Sequence, residues 1–442
     1  MQKKIDYGDN VIKKNAVLSL IYKIASAGLS LISAPLLLHC LGENKYGIRA
    51  TLMSLISWIY YCDLGIGNGL RNKLAASLVI RDYEKSRKFI GISYVVVTFM
   101  SILVFGIVLI FIYCLDVEEY LNLEITDENI KLCLLIAFLI ACINFVTSLA
   151  NNMLYALQKA SMVSLFGVIG QLLFIVSLVM CLVTGKKWLL IITFTEGCTQ
   201  FIKNIIETIY VFKKNPELKF GKKDIEFKYT KEIMSFGVQM FIVQIAALVL
   251  NSTDNIIITR IMGVTAVTPY SFCYTYFSMI NTFYVALITP FLSAYTAAYT
   301  LHDIVWIKRT IKKNVWVYIV FVIGTIFATL FFKPFTIVWL QKELYFEKGL
   351  VLTSAFYFIL LMFNHIFSTF LTGIGRIKET MIATSFGTIL NIPISVFLAR
   401  NLELGVTGVV LGSVISLLVG VWVTPLVMLL ELNRFKEGEK KR

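Results

Sequence analysis

Charged residues are scarce in this chain. Only 15% of its 442 residues are Asp, Glu, Lys or Arg, whereas 58% are apolar and the mean hydropathy is +0.78. Soluble globular proteins carry about a quarter of their residues as charges, so the composition excludes that class. The sequence instead predicts a polytopic protein of a lipid bilayer.

Three chemical signatures are also missing. The eight cysteines form no CxxC motif and no pairing with histidine, which argues against a metal site or a disulfide framework. No GxxxxGK[ST] segment occurs, so the sequence predicts no nucleotide-binding loop. The start "MQKKIDYGDNVIKKN" leads into an apolar run too long for a signal peptide, with no small-residue cleavage site. We therefore expect no metal, no cofactor and no cleaved leader.

Long apolar runs dominate the sequence. Twelve of them approach the roughly 20 residues that a helix needs to cross a bilayer, and none alternates as the strands of a barrel do. The runs are 15–40, 46–69, 89–114, 131–156, 162–184, 188–212, 232–260, 266–298, 310–332, 346–372, 379–399 and 405–431. The predicted fold class is an all-α polytopic membrane protein with twelve transmembrane helices.

The basic residues favour one orientation. The N-terminus, the loops after the even-numbered spans and the C-terminus hold most of the 41 Lys and Arg. Cytoplasmic loops are enriched in Lys and Arg, so both termini are expected in the cytoplasm. Topology thereby accounts for the net charge of +14, and no nucleic-acid partner is predicted.

The longest basic loop, residues 213–231, divides the spans six and six. We therefore predict two six-helix lobes, residues 1–215 and 216–442. A weak internal echo supports this division, because "YALQKASMVSLFG" and "GIGRIKETMIATSFG" fall at corresponding places in the two halves. Repeats of this kind are common in transporters.

Polar side chains recur at helical spacing within several spans, and Lys23 is the most informative. It lies about 12 to 15 Å from the cytoplasmic end of span 1. An ammonium at that depth costs at least about 2.5 to 3.5 kcal/mol unless it is hydrated or paired, so a functional role is the default expectation. Two interpretations stay open: a cation in a wet cavity, or a structural partner of an acid such as Glu196 or Asp254.

The other polar stripes have the same two interpretations. In lipid, polar groups should face either a water-filled cavity or a neighbouring helix that they hold by hydrogen bonds. Lys203 and Glu207 stand four residues apart on span 6 and are predicted to pair. Spans 7 and 8 combine amides, a carboxylate and aromatic rings, namely Asn251, Asp254, Tyr270, Tyr274 and Asn281.

The segment "DLGIGNGLRNKL", residues 63–74, runs from Asp63 through three glycines to two cations. The apolar run before it excludes the strand that a dinucleotide fingerprint needs. We expect the glycines to permit close helix approach, and Arg71 and Lys73 to lie at a cytoplasmic helix C-terminus, where cations complement the dipole. The two cations are either a membrane anchor or a gate that first meets an anionic substrate.

With this segment, its span number and its six-plus-six halves, the chain resembles the Wzx-type flippases of the multidrug/oligosaccharidyl-lipid/polysaccharide (MOP) exporter superfamily. The resemblance implies a MATE-like fold in the bacterial cytoplasmic (inner) membrane and a role in O-antigen and lipopolysaccharide biosynthesis. It also implies translocation, by alternating access, of an undecaprenyl-pyrophosphate-linked oligosaccharide to the outer leaflet, and no enzymatic activity. Implied partners are this polyprenyl-pyrophosphate-linked oligosaccharide, the lipid bilayer, a coupling ion such as H⁺ or Na⁺, and glycan polymerase and chain-length proteins.

Under this interpretation Lys23, with Arg49 and Lys203, offsets the pyrophosphate, and the span 8 tyrosines stack on sugars. Two alternatives stay open: a cation-coupled drug antiporter on the same fold, whose cavity should be acidic, and a membrane glycan polymerase or ligase, which needs a large exterior loop. The complete set of expected substrate-path residues is Lys23, Arg49, Asp63, Arg71, Lys73, Glu196, Lys203, Glu207, Asn251, Asp254, Tyr270, Tyr274 and Asn281.

Overall fold

Helices account for nearly all of the regular structure. The computed structural model describes residues 9–60, 64–114, 130–185, 188–289, 291–300, 303–376 and 378–440. The helices before residue 215 are α1 (Asp9–Ile59), α2 (Ile66–Val79), α3 (Tyr83–Cys114), α4 (Ile130–Thr147), α5 (Leu149–Ala156), α6 (Ala160–Thr184) and α7 (Leu189–Lys214). Those after it are α8 (Lys228–Met262), α9 (Val264–Ile288), α10 (Phe291–Thr300), α11 (Ile304–Leu330), α12 (Phe332–Leu340), α13 (Lys348–Gly373), α14 (Lys378–Val396) and α15 (Gly405–Lys440).

Eight helical segments in the ranges above are long and apolar enough to cross a membrane. They are Val17–Ile59, Tyr83–Cys114, Ile130–Ala156, Ala160–Thr184, Ile304–Leu330, Gly349–Gly373, Met381–Asn401 and Gly405–Arg434. The predicted class, a helical multi-pass membrane protein, is confirmed. The number of twelve spans stays a prediction.

Predicted spans 1 and 2 are two helical stretches joined within α1. The helical backbone is interrupted at Gly42, where φ is +69° and ψ is 178°. A side chain at this φ would meet its own backbone, which glycine avoids. The interruption lies between the two apolar runs predicted as spans 1 and 2, 15–40 and 46–69.

The sequence predicted that the glycine-rich segment ends a helix, but in the structure it begins one. Predicted span 2 was expected to reach residue 69, whereas α1 ends at Ile59. Gly65, at φ +81°, caps the start of the separate helix α2. Arg71 and Lys73 therefore lie near the middle of α2 and not at a helix C-terminus. The prediction that they complement a helix dipole is wrong, because the dipole acts only within the first or last turn.

The chain forms two compact units, Met1–Leu248 and Val249–Arg442. The first compact unit includes the linker that follows α7, which packs on α3; the two lobes 1–215 and 216–442 stay a prediction. This linker, residues 215–227, contains two short 3-10 turns, Pro216–Leu218 and Lys222–Asp224.

Ion pairs and an aromatic stack hold the linker to α3. Arg87 Nε lies 3.4 Å from Asp224 Oδ1, and Lys88 Nζ lies 2.9 Å from Glu226 Oε1. Tyr94 stacks on Phe220 with ring centroids 5.4 Å apart. Hydrogen bonds from the lysines on either side, Lys228 and then Lys88, hold the pKa of Glu226 below its ordinary value.

Candidate functional site

The serines of span 1 contact a neighbouring helix. Ser19 Oγ lies 2.8 Å from Ser164 Oγ on α6. Ser26 donates to Gln171 Oε1 at 3.0 Å, and Gln171 Nε2 donates to Ser30 at 2.8 Å. For these serines the structure favours the helix-contact interpretation over the cavity interpretation.

Lys23 lies on α1 between Ser19 and Ser26 but makes none of these contacts with α6. Its side chain is exposed, and within the described ranges its ammonium makes no ion pair or hydrogen bond. The exposed apolar side chains of the same stretch, Val17, Ile21 and Ile32, occupy the other side of the helix, since two residues of offset put Ile21 about 160° away from Lys23. Lys23 therefore does not belong to the apolar face of α1.

Neither acid suggested as a structural partner of Lys23 pairs with it. Glu196 receives a two-pronged contact from Arg49, with Nη2 to Oε1 at 2.6 Å and Nε to Oε2 at 3.0 Å. The Arg49 guanidinium also lies 5.9 Å from the centroid of the Phe174 ring. This fork-to-fork geometry is the strongest that an ion pair adopts, so the charge of Arg49 is largely neutralised within the first unit.

Lys203 and Glu207 pair on α7, as their spacing predicted. The ammonium nitrogen lies 3.5 Å from Glu207 Oε1, and the side chains are 8% and 0% exposed. Neither carboxylate oxygen of Glu207 accepts a hydrogen bond in the described structure. The stem of Lys203 lies against Gly170 of α6, where an added Cβ would be 3.2 Å from Lys203 Cδ. The pair is buried and incompletely satisfied.

Arg71 is held by an aromatic ring. Its guanidinium carbon lies 4.6 Å from the centroid of Tyr155, the tyrosine near the end of α5. The Arg71 side chain is exposed, whereas Lys73, two residues later and on the opposite side of α2, is half-buried. Stacking leaves the edge donors of a guanidinium available for an anion. Tyr155 is far from Arg71 in the sequence, so no local pattern predicted that the two would lie side by side.

A small polar pocket opens beside the start of α2. Its volume is about 120 Å³. The residues that line it are Tyr60, Gly67, Asn68, Val97, Phe145, Ser148, Leu149 and Asn152. Ser148, the residue between α4 and α5, lies in this wall and within the single apolar run predicted as span 4.

In the second unit, Asp254 is the centre of a buried hydrogen-bond network. The carboxylate, on α8, accepts from Tyr270 Oη at 3.0 Å and from Ser413 Oγ at 3.1 Å. Ser413 in turn accepts from Asn391 Nδ2 at 2.9 Å. Asp254 itself is only 4% exposed. Its partners come from α9, α14 and α15, at sequence distances that no local pattern reveals.

The aromatic candidates of α9 pack largely among other rings. Tyr270 and Tyr274 are 6.1 Å apart by ring centroid, and Tyr274 meets Phe358 edge-on at 5.3 Å. Asn281, further along α9, has a buried side-chain oxygen with no hydrogen-bond partner in the described structure. Asp63 and the side chain of Asn251 lie outside the described residues.

The first unit thus brings several predicted residues onto or beside α7. On α7, Glu196 forms an ion pair with Arg49, and Glu207 forms one with Lys203. Arg71 stacks on Tyr155 of α5. Each acid of α7 is therefore paired with one cation. Arg71 and Lys23 have no carboxylate partner in the described structure.

Comparison with known proteins supplies the family. Residues 12–296 match the model of the family described as "Polysaccharide biosynthesis protein". A Yersinia pseudotuberculosis protein named for O-antigen export is 22% identical over 416 residues, covering 91% of this chain and 92% of that protein. A Salmonella typhimurium protein named as an O-antigen transporter is 22% identical over 427 residues, covering 93% and 95%.

Solved structures show the same fold. An inward-facing multidrug resistance MATE family transporter of the MOP superfamily superposes with a TM-score of 0.78 at 15% identity, covering 96% of this chain and 99% of that one. At that identity the likeness concerns the fold alone. The chain therefore belongs to the polysaccharide biosynthesis protein family and has the fold of the MOP superfamily, which confirms the resemblance drawn from its sequence.

Proposed function

We propose that this protein is a flippase of the bacterial inner membrane. It moves an undecaprenyl-pyrophosphate-linked oligosaccharide, an O-antigen or related repeat unit, from the cytoplasmic to the periplasmic leaflet by alternating access. The family match and two relatives named for O-antigen export or transport, aligned over most of both chains, support this proposal. The protein transports its substrate, and the translocated lipid-linked oligosaccharide then passes to a glycan polymerase and its chain-length partner.

The observation that carries the proposal is the state of Lys23. A pyrophosphate leaving water needs a cation that is not already neutralised. Arg49 is fully engaged by Glu196, and Lys203 is paired with Glu207. Lys23 is exposed and unpaired among the described residues, and it points away from the apolar side of α1. It is the cation best placed to accompany an anion.

The driving force does not require a nucleotide. An inside-negative potential favours outward movement of an anion by about 2.3 kcal/mol per elementary charge per 100 mV. A coupled ion, H⁺ or Na⁺, supplies the alternative source. The lipid tail stays in the bilayer, so the protein has to shelter only the pyrophosphate and the sugars.

The test is a charge series at Lys23, read as glycan export in a bacterium that lacks its own flippase. Replacing Lys23 by Gln removes an attraction on the order of 1 kcal/mol, equivalent to about a fivefold loss. Glu adds repulsion to that loss. The expected order at equal expression is wild type, then Arg or Gln, then Glu, because Arg keeps the charge but changes its shape and hydration.

Lys312, an exposed lysine on α11, provides the matched control: Lys312→Glu makes the same charge reversal and is expected to leave export near wild type. Export by Lys23→Glu at the wild-type level contradicts the assignment of Lys23 to the anion. A chain that fails to restore export but confers drug resistance supports the antiporter on the same fold instead.

A further inference from the structure

We propose that Lys203 and Glu207 form an exchange site, in which a proton on Glu207 and a phosphate oxyanion on Lys203 together replace the ion pair. This inference rests on the proposed function, because it states how an anionic lipid-linked substrate is first taken up. It assigns to this pair a role in coupling and not only in packing.

The geometry of the pair is unusual for a purely structural contact. Glu207 is fully buried, yet within the described residues its only polar contact is the Lys203 ammonium at 3.5 Å. A good charge-assisted hydrogen bond is about 2.7 to 2.9 Å long. A buried carboxylate that lacks further donors costs free energy. Taking up a proton therefore relieves part of that cost.

Lys203 has the reach to leave its partner. Its aliphatic stem lies along α6 in the space opened by Gly170, where an added Cβ would stand 3.2 to 3.4 Å from three carbons of the stem. A lysine ammonium on a four-carbon chain is a mobile point charge. The head can turn from Glu207 to another anion while the stem keeps its contact with the glycine.

The groups around Glu207 favour an anion of the phosphate class. α5 packs against α7, and Tyr155 on α5 carries the Arg71 guanidinium of α2 on its ring. The other acid of α7, Glu196, is neutralised by Arg49, so that pair adds no net charge. Arg71 therefore leaves the cluster with an excess of positive charge. Its predicted position on the cytoplasmic side is where the substrate is loaded.

On α7 itself and on α4 the neighbours of the pair are neutral. Asn204 lies one residue from Lys203, and its side-chain nitrogen donates to the Asn144 carbonyl oxygen at 3.3 Å and to Thr147 Oγ1 at 3.1 Å. These contacts tie α7 to α4 and supply no second proton acceptor. Apart from Glu196, which Arg49 engages, Glu207 is the only carboxylate on α7.

The exchange conserves charge and protons. Before uptake, the carboxylate and ammonium cancel. One proton from the cytosol converts the Glu207 carboxylate to the neutral acid, and the Lys203 ammonium, which keeps its own proton, forms an ion pair with a phosphate oxygen. Release of the anion reverses both changes, because the returning ammonium favours the ionised acid. One proton is therefore taken up for each anion bound and given up when the anion leaves.

The experiment measures proton uptake during anion binding. Inorganic pyrophosphate is titrated calorimetrically into the purified full-length protein in detergent, in two buffers of different ionisation enthalpy, from pH 7 to pH 8.5. The variants are Glu207→Gln, Lys203→Gln and a control, Glu217→Gln, which removes an exposed carboxylate just beyond α7. Protons that pyrophosphate itself binds contribute equally to all four proteins.

Wild type and Glu217→Gln are expected to take up more protons than Glu207→Gln, and their affinity should fall by up to about tenfold per pH unit, the limit for one linked proton. Glu207→Gln should bind at least as tightly, with a flatter pH dependence, because Lys203 is already released. Lys203→Gln should lose affinity.

Equal proton uptake by wild type and Glu207→Gln overturns the exchange, as does unchanged affinity in Lys203→Gln. A wild type that binds no pyrophosphate also overturns it. The flippase function is judged separately by glycan export, so the two failures are distinguishable.

Discussion

The Arg71 guanidinium is positioned by a single aromatic ring, that of Tyr155. Its guanidinium lies 4.6 Å from the Tyr155 centroid on an exposed part of α2. A cation over an aromatic face gains about 0.5 to 1 kcal/mol at an exposed site. The stacking limits the orientations of Arg71 without consuming its hydrogen-bond donors. A gate that first meets a pyrophosphate needs such a group.

We predict that Arg71→Ala reduces glycan export severalfold at normal membrane abundance. Tyr155→Phe keeps the ring and should export almost as wild type, whereas Tyr155→Leu removes it and should fall between wild type and Arg71→Ala. Quantitative export corrected for protein level is the measurement. If export falls only in proportion to abundance, Arg71 is a membrane anchor and the gate interpretation is contradicted.

The network around Asp254 makes a different prediction, one of stability. Tyr270→Phe removes one of the donors to a carboxylate that is 4% exposed. Loss of a hydrogen bond to a buried charged group costs about 1.5 to 3 kcal/mol. We expect the melting temperature of the purified protein to fall by several degrees. Tyr345→Phe, at a side chain that is 83% exposed, should melt as wild type; an equal melting temperature in Tyr270→Phe would contradict the proposed contribution of its hydroxyl.

At the residue scale, the sequence predicted local relations and missed distant ones. The Lys203–Glu207 pair follows from a spacing of four on a helix, which needs no knowledge of the fold. Arg49 and Glu196 are 147 positions apart, so nothing in the sequence linked them. For the same reason Glu196 was suggested as a partner for Lys23, which the structure contradicts.

Among the helices, α2 depends on one close contact. A Cβ on Gly69 would come 2.3 Å from the backbone oxygen of Ile233 on α8. No side chain fits at that distance, so glycine at this position sets how closely the two helices approach. The expectation that the glycine-rich segment permits close packing is confirmed at Gly69, although the helix it belongs to was placed wrongly.

The corresponding prediction compares two glycines. Gly69→Ala must push α2 away from α8 and should cost about 1 to 3 kcal/mol, as overpacking does. Gly28→Ala on α1 meets nothing within 4 Å and should be neutral or slightly stabilising, since alanine favours helices. Thermal denaturation in detergent measures both. A Gly69→Ala protein as stable as wild type would show that the two backbones are not in firm contact.

Hydropathy predicted several helical segments and one of their breaks. The run predicted as span 4, 131–156, corresponds to the apolar helical segment Ile130–Ala156. The predicted division between spans 1 and 2 coincides with the break at Gly42. The run predicted as span 9, 310–332, corresponds to α11 but ends at the first residue of α12, because the apolar pattern does not change where α11 ends.

For the whole molecule, the packing of the linker is a feature that the sequence did not predict. The sequence identified the linker only as part of the longest basic loop, which divides the spans six and six. Arg87 and Lys88 instead bind the acids of this loop, and Phe220 packs on Tyr94. These contacts join residues more than a hundred positions apart, which the local charge pattern cannot reveal. The first compact unit includes this linker and α8 as far as Leu248.

Membrane orientation is the property on which the direction of transport depends, and the structure provides a natural probe of it. The basic loops predict a cytoplasmic linker and an exterior end for α3, where Cys114 is exposed. Cys40, Cys133, Cys142, Cys181 and Cys273 are buried, so an impermeant maleimide should reach them poorly. Cys198 is half-buried and Cys62 lies outside the described residues, so both are first replaced by Ser. This protein, in cells whose outer membrane has been permeabilised, should label, and the further change Cys114→Ser should remove that label.

In the Cys114→Ser background, a cysteine introduced at the exposed position Lys222 of the linker should label only after the inner membrane is also opened. Labelling at Lys222 before that step would place the linker outside. It would reverse the predicted topology, and Arg71 could then no longer meet a substrate loaded from the cytoplasm. Labelling of Cys114 only from the cytoplasmic side would contradict the orientation independently. Together the two positions decide which face of the protein receives the pyrophosphate.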